Sequence, residues 1–287
     1  MWKESRWVRE ILALQQPDGL WGYFHTLSEP GKHPITTEQA LRRLRILGCT
    51  IGDPPIQMAL SALHAYLEGS QVMPDHVEKT PDWPIFQRMM PAAWITLFTS
   101  EDDLANQVAD QWAYIVEAAF VAGRYDQGAY FEAYREQFAH YPAHGRSRDL
   151  CHFYLVALLR NRLSEQTAEA FFQHLLHHHA GLYYMVSHPL NQPPPFQSKE
   201  ASRYLGALEL LAEYDHPACR KQLAFASDWL MACRNTRGEW DMGTAAKDGV
   251  YFPLSDSWRT ATARKNDCTA RILAFLAKVP ASDADGE

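Results

Sequence analysis

The chain has 287 residues, 47% of them apolar, enough for one sizeable hydrophobic core. Its formal net charge is -7, with acidic and basic residues mixed and no basic stripe of the kind a nucleic-acid binder carries. No apolar run reaches the length of a membrane span, and the charged start Lys3-Glu4-Ser5-Arg6 lacks the apolar stretch of a signal peptide.

Apolar residues recur at helical spacing almost throughout. Ile11, Leu12 and Leu14 close a first helix. Thr36-Thr37-Glu38 starts a second, with Ala40, Leu41, Leu44 and Leu47 on one face and Gly48 as its stop. The spacing predicts further helices over 55–68, 83–99, 101–121, 127–138, 147–161, 164–178, 198–213, 216–234 and 261–278. Strand candidates are few; Val250-Tyr251-Phe252 reads as a short extended piece inside a loop. The Pro54-Pro55 and Pro193-Pro194-Pro195 runs are too short for linkers, so one domain over 1–280 is expected, followed by a frayed acidic tail over 281–287. Five widely spaced cysteines fit a reduced, cytoplasmic chain.

An internal repeat is visible. Gln15-Gln16-Pro17-Asp18-Gly19-Leu20-Trp21 and Arg234-Asn235-Thr236-Arg237-Gly238-Glu239-Trp240 share one pattern: a Gln or Arg, then Gly-x-Trp. Looser copies run from His177 to Gly181-Leu182-Tyr183 and from Arg124 to Gly128-Ala129-Tyr130. The period is about 55 residues, which places a worn copy near Leu67-Glu68-Gly69. In such a turn the helix ends on a left-handed glycine and the indole folds back over the exposed end. The Gln or Arg plane is expected to stack on the indole and to bond the next helix's free amides.

These motifs resemble the QW repeats of squalene–hopene and oxidosqualene cyclases and the Gly-x-Trp turns of related folds, including protein prenyltransferases. Glu10 stands where an aromatic is usual, and Arg234 replaces Gln. The resemblance implies an all-α protein whose hairpins, about five or six of them, close into an α/α toroid. It implies inner helices whose N-termini converge on a central cavity and favour anions by their dipoles. On that reading the candidate site residues are Trp83, Arg148, Asp149, Tyr154, Lys199, Glu200, Arg203 and Tyr204 near helix starts. Tyr251, Asp256, Trp258 and Arg259 join them from a loop of unusual length. Asp267, Asp82 and Asp241 are the candidate proton donors or acceptors.

No cofactor is expected. The DxDD acid motif of class II cyclases is missing, and Asp267-Cys268 lacks the spacing of a prenyltransferase zinc site. Asp102-Asp103-Leu104-Ala105-Asn106 mimics a magnesium motif but is explained as a helix cap. His174, His177, His178 and His179 form the densest histidine cluster, and Cys151-His152 resembles half of a zinc pair. The expected partner is an apolar small molecule with an anionic end, held by Arg148, Lys199 and Arg203; neither nucleic acid nor integral membrane is expected. The alternatives are a carbohydrate-active toroid using paired carboxylates with Trp platforms, and a binding or scaffold protein without catalysis.

Overall fold

The computed structural model describes residues 2–25, 33–143 and 145–279; the acidic tail lies outside them. Among these residues the regular structure is helical, with only isolated bridges besides. The helices are α1 (Arg6–Leu12), α2 (Thr37–Ile46), α3 (Pro54–Glu68), α4 (Trp83–Thr96), α5 (Asp103–Ala119), α6 (Gln127–Phe138), α7 (Phe153–Leu158), α8 (Glu165–His177), α9 (Ala201–Leu211), α10 (Pro217–Gln222), α11 (Ala224–Ala232) and α12 (Ala261–Leu276). No helix among the described residues is long and apolar enough to cross a membrane.

Local chemistry sets most of these boundaries. Thr36 and Gln39 form a reciprocal capping box on α2, at 3.1 and 3.0 Å. Two prolines open α3, where a missing N–H costs nothing, and Gly69 ends it in the left-handed conformation. The hydroxyl of Ser164 accepts from Thr167 N to start α8, and that of Thr260 accepts from Ala263 N to start α12.

Three expectations are corrected. The helix predicted over 216–234 is two, because the backbone tightens at the fully buried Leu223, whose N–H bonds Arg220 O at 3.1 Å. The helix predicted over 147–161 begins only at Phe153. Before it, Cys151 O accepts from Tyr183 N and Phe153 N donates to Tyr183 O, a bridge that draws the chain into extended form. The His152 ring then caps α7 by accepting from Leu155 N. Gly128 lies inside α6 and makes no turn; the left-handed glycine there is Gly123.

The chain gathers into two compact units. Unit 1 comprises Met1–Trp112 and Tyr134–Leu150, and unit 2 comprises Ala113–Ala133 and Cys151–Glu287. In unit 1, α3 packs on α4, and Trp21, Phe24, Leu41, Leu44, Met89 and Trp94 are buried in the core. In unit 2, α8 packs on α10 and α7 on α9, around a core that includes Phe171, Phe172, Leu205, Tyr214 and Trp240.

The two sharp Gly-x-Trp turns have one architecture. Trp21 Nε1 donates to Ile11 O at 2.7 Å and Trp240 Nε1 to Leu230 O at 2.6 Å, each ten residues back in the preceding helix. The Trp21 amide donates to Thr37 Oγ1 and the Trp240 amide to Thr269 Oγ1, reaching the following helix. Gln16 N bonds Leu20 O as Asn235 N bonds Glu239 O. Gly19 has φ 88° and Gly238 φ 81°, and a Cβ on Gly19 would sit 2.7 Å from Met58 O, so a side chain is excluded there on both counts.

The Arg234 guanidinium lies over the Trp240 ring at 5.4 Å. Gln15 departs from expectation: its amide donates to Gly19 O and Pro55 O. The first amides of α2 need no help from it, since Thr37 N and Glu38 N bond Tyr23 O and Phe24 O. The looser copy at Gly181 keeps the glycine turn but leaves Tyr183 exposed. Trp21→Phe and Trp240→Phe each keep the apolar bulk and remove one of the two hydrogen bonds that Ile11 O and Leu230 O accept. Each is expected to cost about 1–2 kcal/mol in urea unfolding, and unequal losses would show that the two turns are not equivalent.

Candidate functional site

The structure brings three candidate residues of unit 2 together at the start of α9. Lys199, Glu200 and Arg203 line a pocket of about 240 Å3 with Met185, Val186, Ser187 and His188. The first three are exposed, whereas Met185 and Val186 are buried. Lys199 and Glu200 precede the helix, with Glu200 at the N-cap and Ser198 Oγ accepting from Ala201 N. Tyr204 stands behind the pocket: its hydroxyl donates to Leu190 O, and its ring stacks on His188 at 5.7 Å and 19°. Burial pushes the Tyr204 hydroxyl far above its ordinary pKa. Two cations and a histidine over an apolar floor suit an anion carrying an apolar group. His188 was not legible in the sequence, since Ser187-His188-Pro189 belongs to no helix face.

The long loop between Trp240 and α12 is a packed structure. Asp248 Oδ1 accepts from the amides of Val250, Tyr251 and Phe252, and Asp248 Oδ2 accepts from Ser202 Oγ of α9. Tyr251 and Trp258 are buried, and Phe252 packs on Trp258 at 4.9 Å. Asp256 and Arg259 are exposed.

Asp267 lies inside α12, not in its first turn, and is fully buried. Its Oδ2 accepts from Leu254 N, Ser255 N, Ser255 Oγ and Trp258 Nε1, at 2.8, 2.9, 2.9 and 2.6 Å. The carboxylate is the hub that seats the loop on the helix. Asp241 takes a bidentate pair from Arg264 at 2.5 and 2.8 Å. Those bonds hold its carboxyl below the usual range, so near neutral pH it is ionised, accepts hydrogen bonds and has no proton to give. Tyr154 is fully buried, edge-on to Tyr184 and Phe153.

The remaining candidates lie in unit 1. Asp82 is buried and accepts from Tyr134 Oη at 3.0 Å, from Ala143 N at 2.9 Å and from Ser147 Oγ. It ties the segment after α6 to the start of α4. Arg148 is exposed and donates to Pro142 O, and Asp149 N donates to Arg146 O.

Trp83 is buried beside a cluster the sequence did not reveal. His25 bonds Asp75 through both its backbone N–H and Nδ1, and its Nε2 is 3.8 Å from Glu78. Arg146 pairs with Glu78 at 2.6 and 2.5 Å and covers the Phe86 ring. The partners are separated by about 50 to 70 residues, beyond any local pattern.

Burial alone would lower the His25 pKa, but the Asp75 hydrogen bond and the charges of Asp75, Glu38 and Glu78 outweigh it and hold it above 6.5. The stabilisation is therefore complete below pH 6.5 and lost as pH rises through the raised native value. Thermal melts of His25→Gln are expected to differ most from those of the native chain at acidic pH and to converge with them at alkaline pH. A constant difference would refute the pairing.

Asp102 caps α5 through Ala105 N and bonds His64 Nδ1 at 2.7 Å. His174 packs on Phe120 and Tyr125, and His177 Nδ1 bonds Gln173 O. A ligand nitrogen of His178 and the Cys151 thiol lie within 4.8 Å of each other, two of the four ligands a structural zinc needs. No family model, curated protein or solved structure matches the chain.

Proposed function

We propose that this chain is a helical-hairpin protein of the α/α-toroid kind that binds a small apolar molecule with an anionic end in the α9 pocket, and that it serves as a binding protein and not as a cyclase. The pocket carries the reading: Lys199, Arg203 and His188 stand over Met185 and Val186. The toroid assignment is supported by the matched turns at Trp21 and Trp240. Non-catalytic use is favoured by the engagement of all three candidate carboxylates. Both oxygens of Asp82 and the Oδ2 of Asp267 are occupied by structural donors, and Asp241 is paired with Arg264.

The test is calorimetric titration with octanesulfonate, inorganic sulfate and octanol. Octanesulfonate is expected to bind more tightly than either fragment. Arg203→Ala is expected to weaken it by about five- to tenfold, the worth of one charge-assisted bond at a partly exposed site. Absence of octanesulfonate binding would remove the pocket reading. Turnover of a prenyl diphosphate or polyene would overturn the non-catalytic assignment.

A further inference from the structure

We infer that the α9 pocket takes up its anion together with a proton on His188, and that Glu200 is the group the anion displaces. This deepens, and rests on, the anion-binding reading of that pocket. His188 Nδ1 lies 3.1 Å from Pro189 O. A carbonyl oxygen only accepts, so Nδ1 carries the hydrogen. Neutral His188 therefore presents a lone pair at Nε2. The ring plane is held by its stack on Tyr204, whose hydroxyl is anchored to Leu190 O.

Nε2 is shielded from solvent and has no hydrogen-bond partner. An orphaned buried nitrogen is costly, and native structures leave few of them. Glu200 Oε2 stands 3.9 Å away, within ion-pair range but beyond a hydrogen bond. The Glu200 side chain is 67% exposed, so it loses little by swinging into water. A carboxylate is itself a stand-in for the anion the pocket would hold.

An incoming anion repels the Nε2 lone pair. The site becomes attractive when a proton from solution binds Nε2, giving an imidazolium that donates from both nitrogens. The charged groups facing His188 across the pocket are Lys199 and Glu200 on the approach to α9 and Arg203 in its first turn. Tyr204, with its hydroxyl pKa raised by burial, stays neutral. The ligand class is thus an organic anion, a phosphate, sulfonate or carboxylate, whose apolar part rests on Met185 and Val186.

Octanesulfonate keeps a fixed charge near neutral pH, so protons counted in its titration are the protein's. Calorimetry of the full chain at pH 6 and pH 8, in buffers of different ionisation heat, is the test. The native chain is expected to bind more tightly at pH 6 than at pH 8 and to take up protons from the buffer as the anion binds. His188→Gln should take up none and lose the pH dependence. Glu200→Gln should bind about fivefold more tightly, the scale of an exposed ion pair removed. If Arg203→Ala weakens binding as expected yet the native chain takes up no proton and Glu200→Gln gains nothing, the inference falls and the pocket reading stands. If neither the native chain nor Glu200→Gln binds, both fall.

Discussion

Asp267→Ala is expected to destabilise unit 2 by about 4 kcal/mol, because it leaves several buried donors without an acceptor. The amides of Leu254 and Ser255 and the indole N–H of Trp258 all converge on one oxygen of Asp267. Alanine supplies neither an acceptor nor a path for water to this fully buried position. The loop before α12 should lose its anchor, and limited proteolysis should cut between Asp248 and Arg259 in the variant at concentrations that spare the native chain. Asp267→Asn retains an acceptor oxygen and should lose about half as much. An alanine variant within 1 kcal/mol of the native chain, in the accuracy of urea unfolding, would show that the loop is held by its apolar packing alone.

Arg271→Met is expected to cost about 3 kcal/mol. Arg271 is buried, pairs with Glu209 through Nε at 3.0 Å and through Nη2, and donates to Tyr251 O at 3.2 Å. Its guanidinium also lies over the Phe252 and Tyr251 rings, at 4.6 and 5.4 Å. Methionine fills the space but removes both bonds to the Glu209 carboxylate and the bond to the Tyr251 carbonyl. Glu209 is half-buried, and removing one partner of such a pair costs more than replacing both with apolar groups. Arg271→Met combined with Glu209→Leu should therefore be more stable than Arg271→Met alone. A double variant less stable than the single one would show that Glu209 is held by something other than this arginine. The Tyr251 ring makes the arrangement tight, since it packs where a Cβ on Gly206 would stand.

The helices and the two Trp turns were legible because both are local patterns. Helical spacing needs only neighbours three and four residues apart, and the indole closure of the turn at Gly238 spans only the ten residues from Leu230 to Trp240. Lys199, Glu200 and Arg203 were legible as one cluster for the same reason, and they do share a pocket. The break at Leu223 was not legible, because its apolar periodicity continues unbroken across a residue that tertiary packing buries.

The roles of the carboxylates were beyond local pattern altogether. In the sequence Asp82, Asp241 and Asp267 are equal candidates for proton chemistry. Which donors reach each one depends on residues brought from elsewhere: Ala143 and Ser147 to Asp82, Arg264 to Asp241, and the loop at Leu254 to Asp267. His188 gained its place beside Arg203 in the same way. Composition and periodicity alone established a helical chain with repeated glycine–tryptophan turns. Tertiary structure alone decided which charged groups are structural hubs and which face a pocket, because hydrogen bonding and burial depend on distance in space, which a carboxylate's neighbours in the chain do not determine.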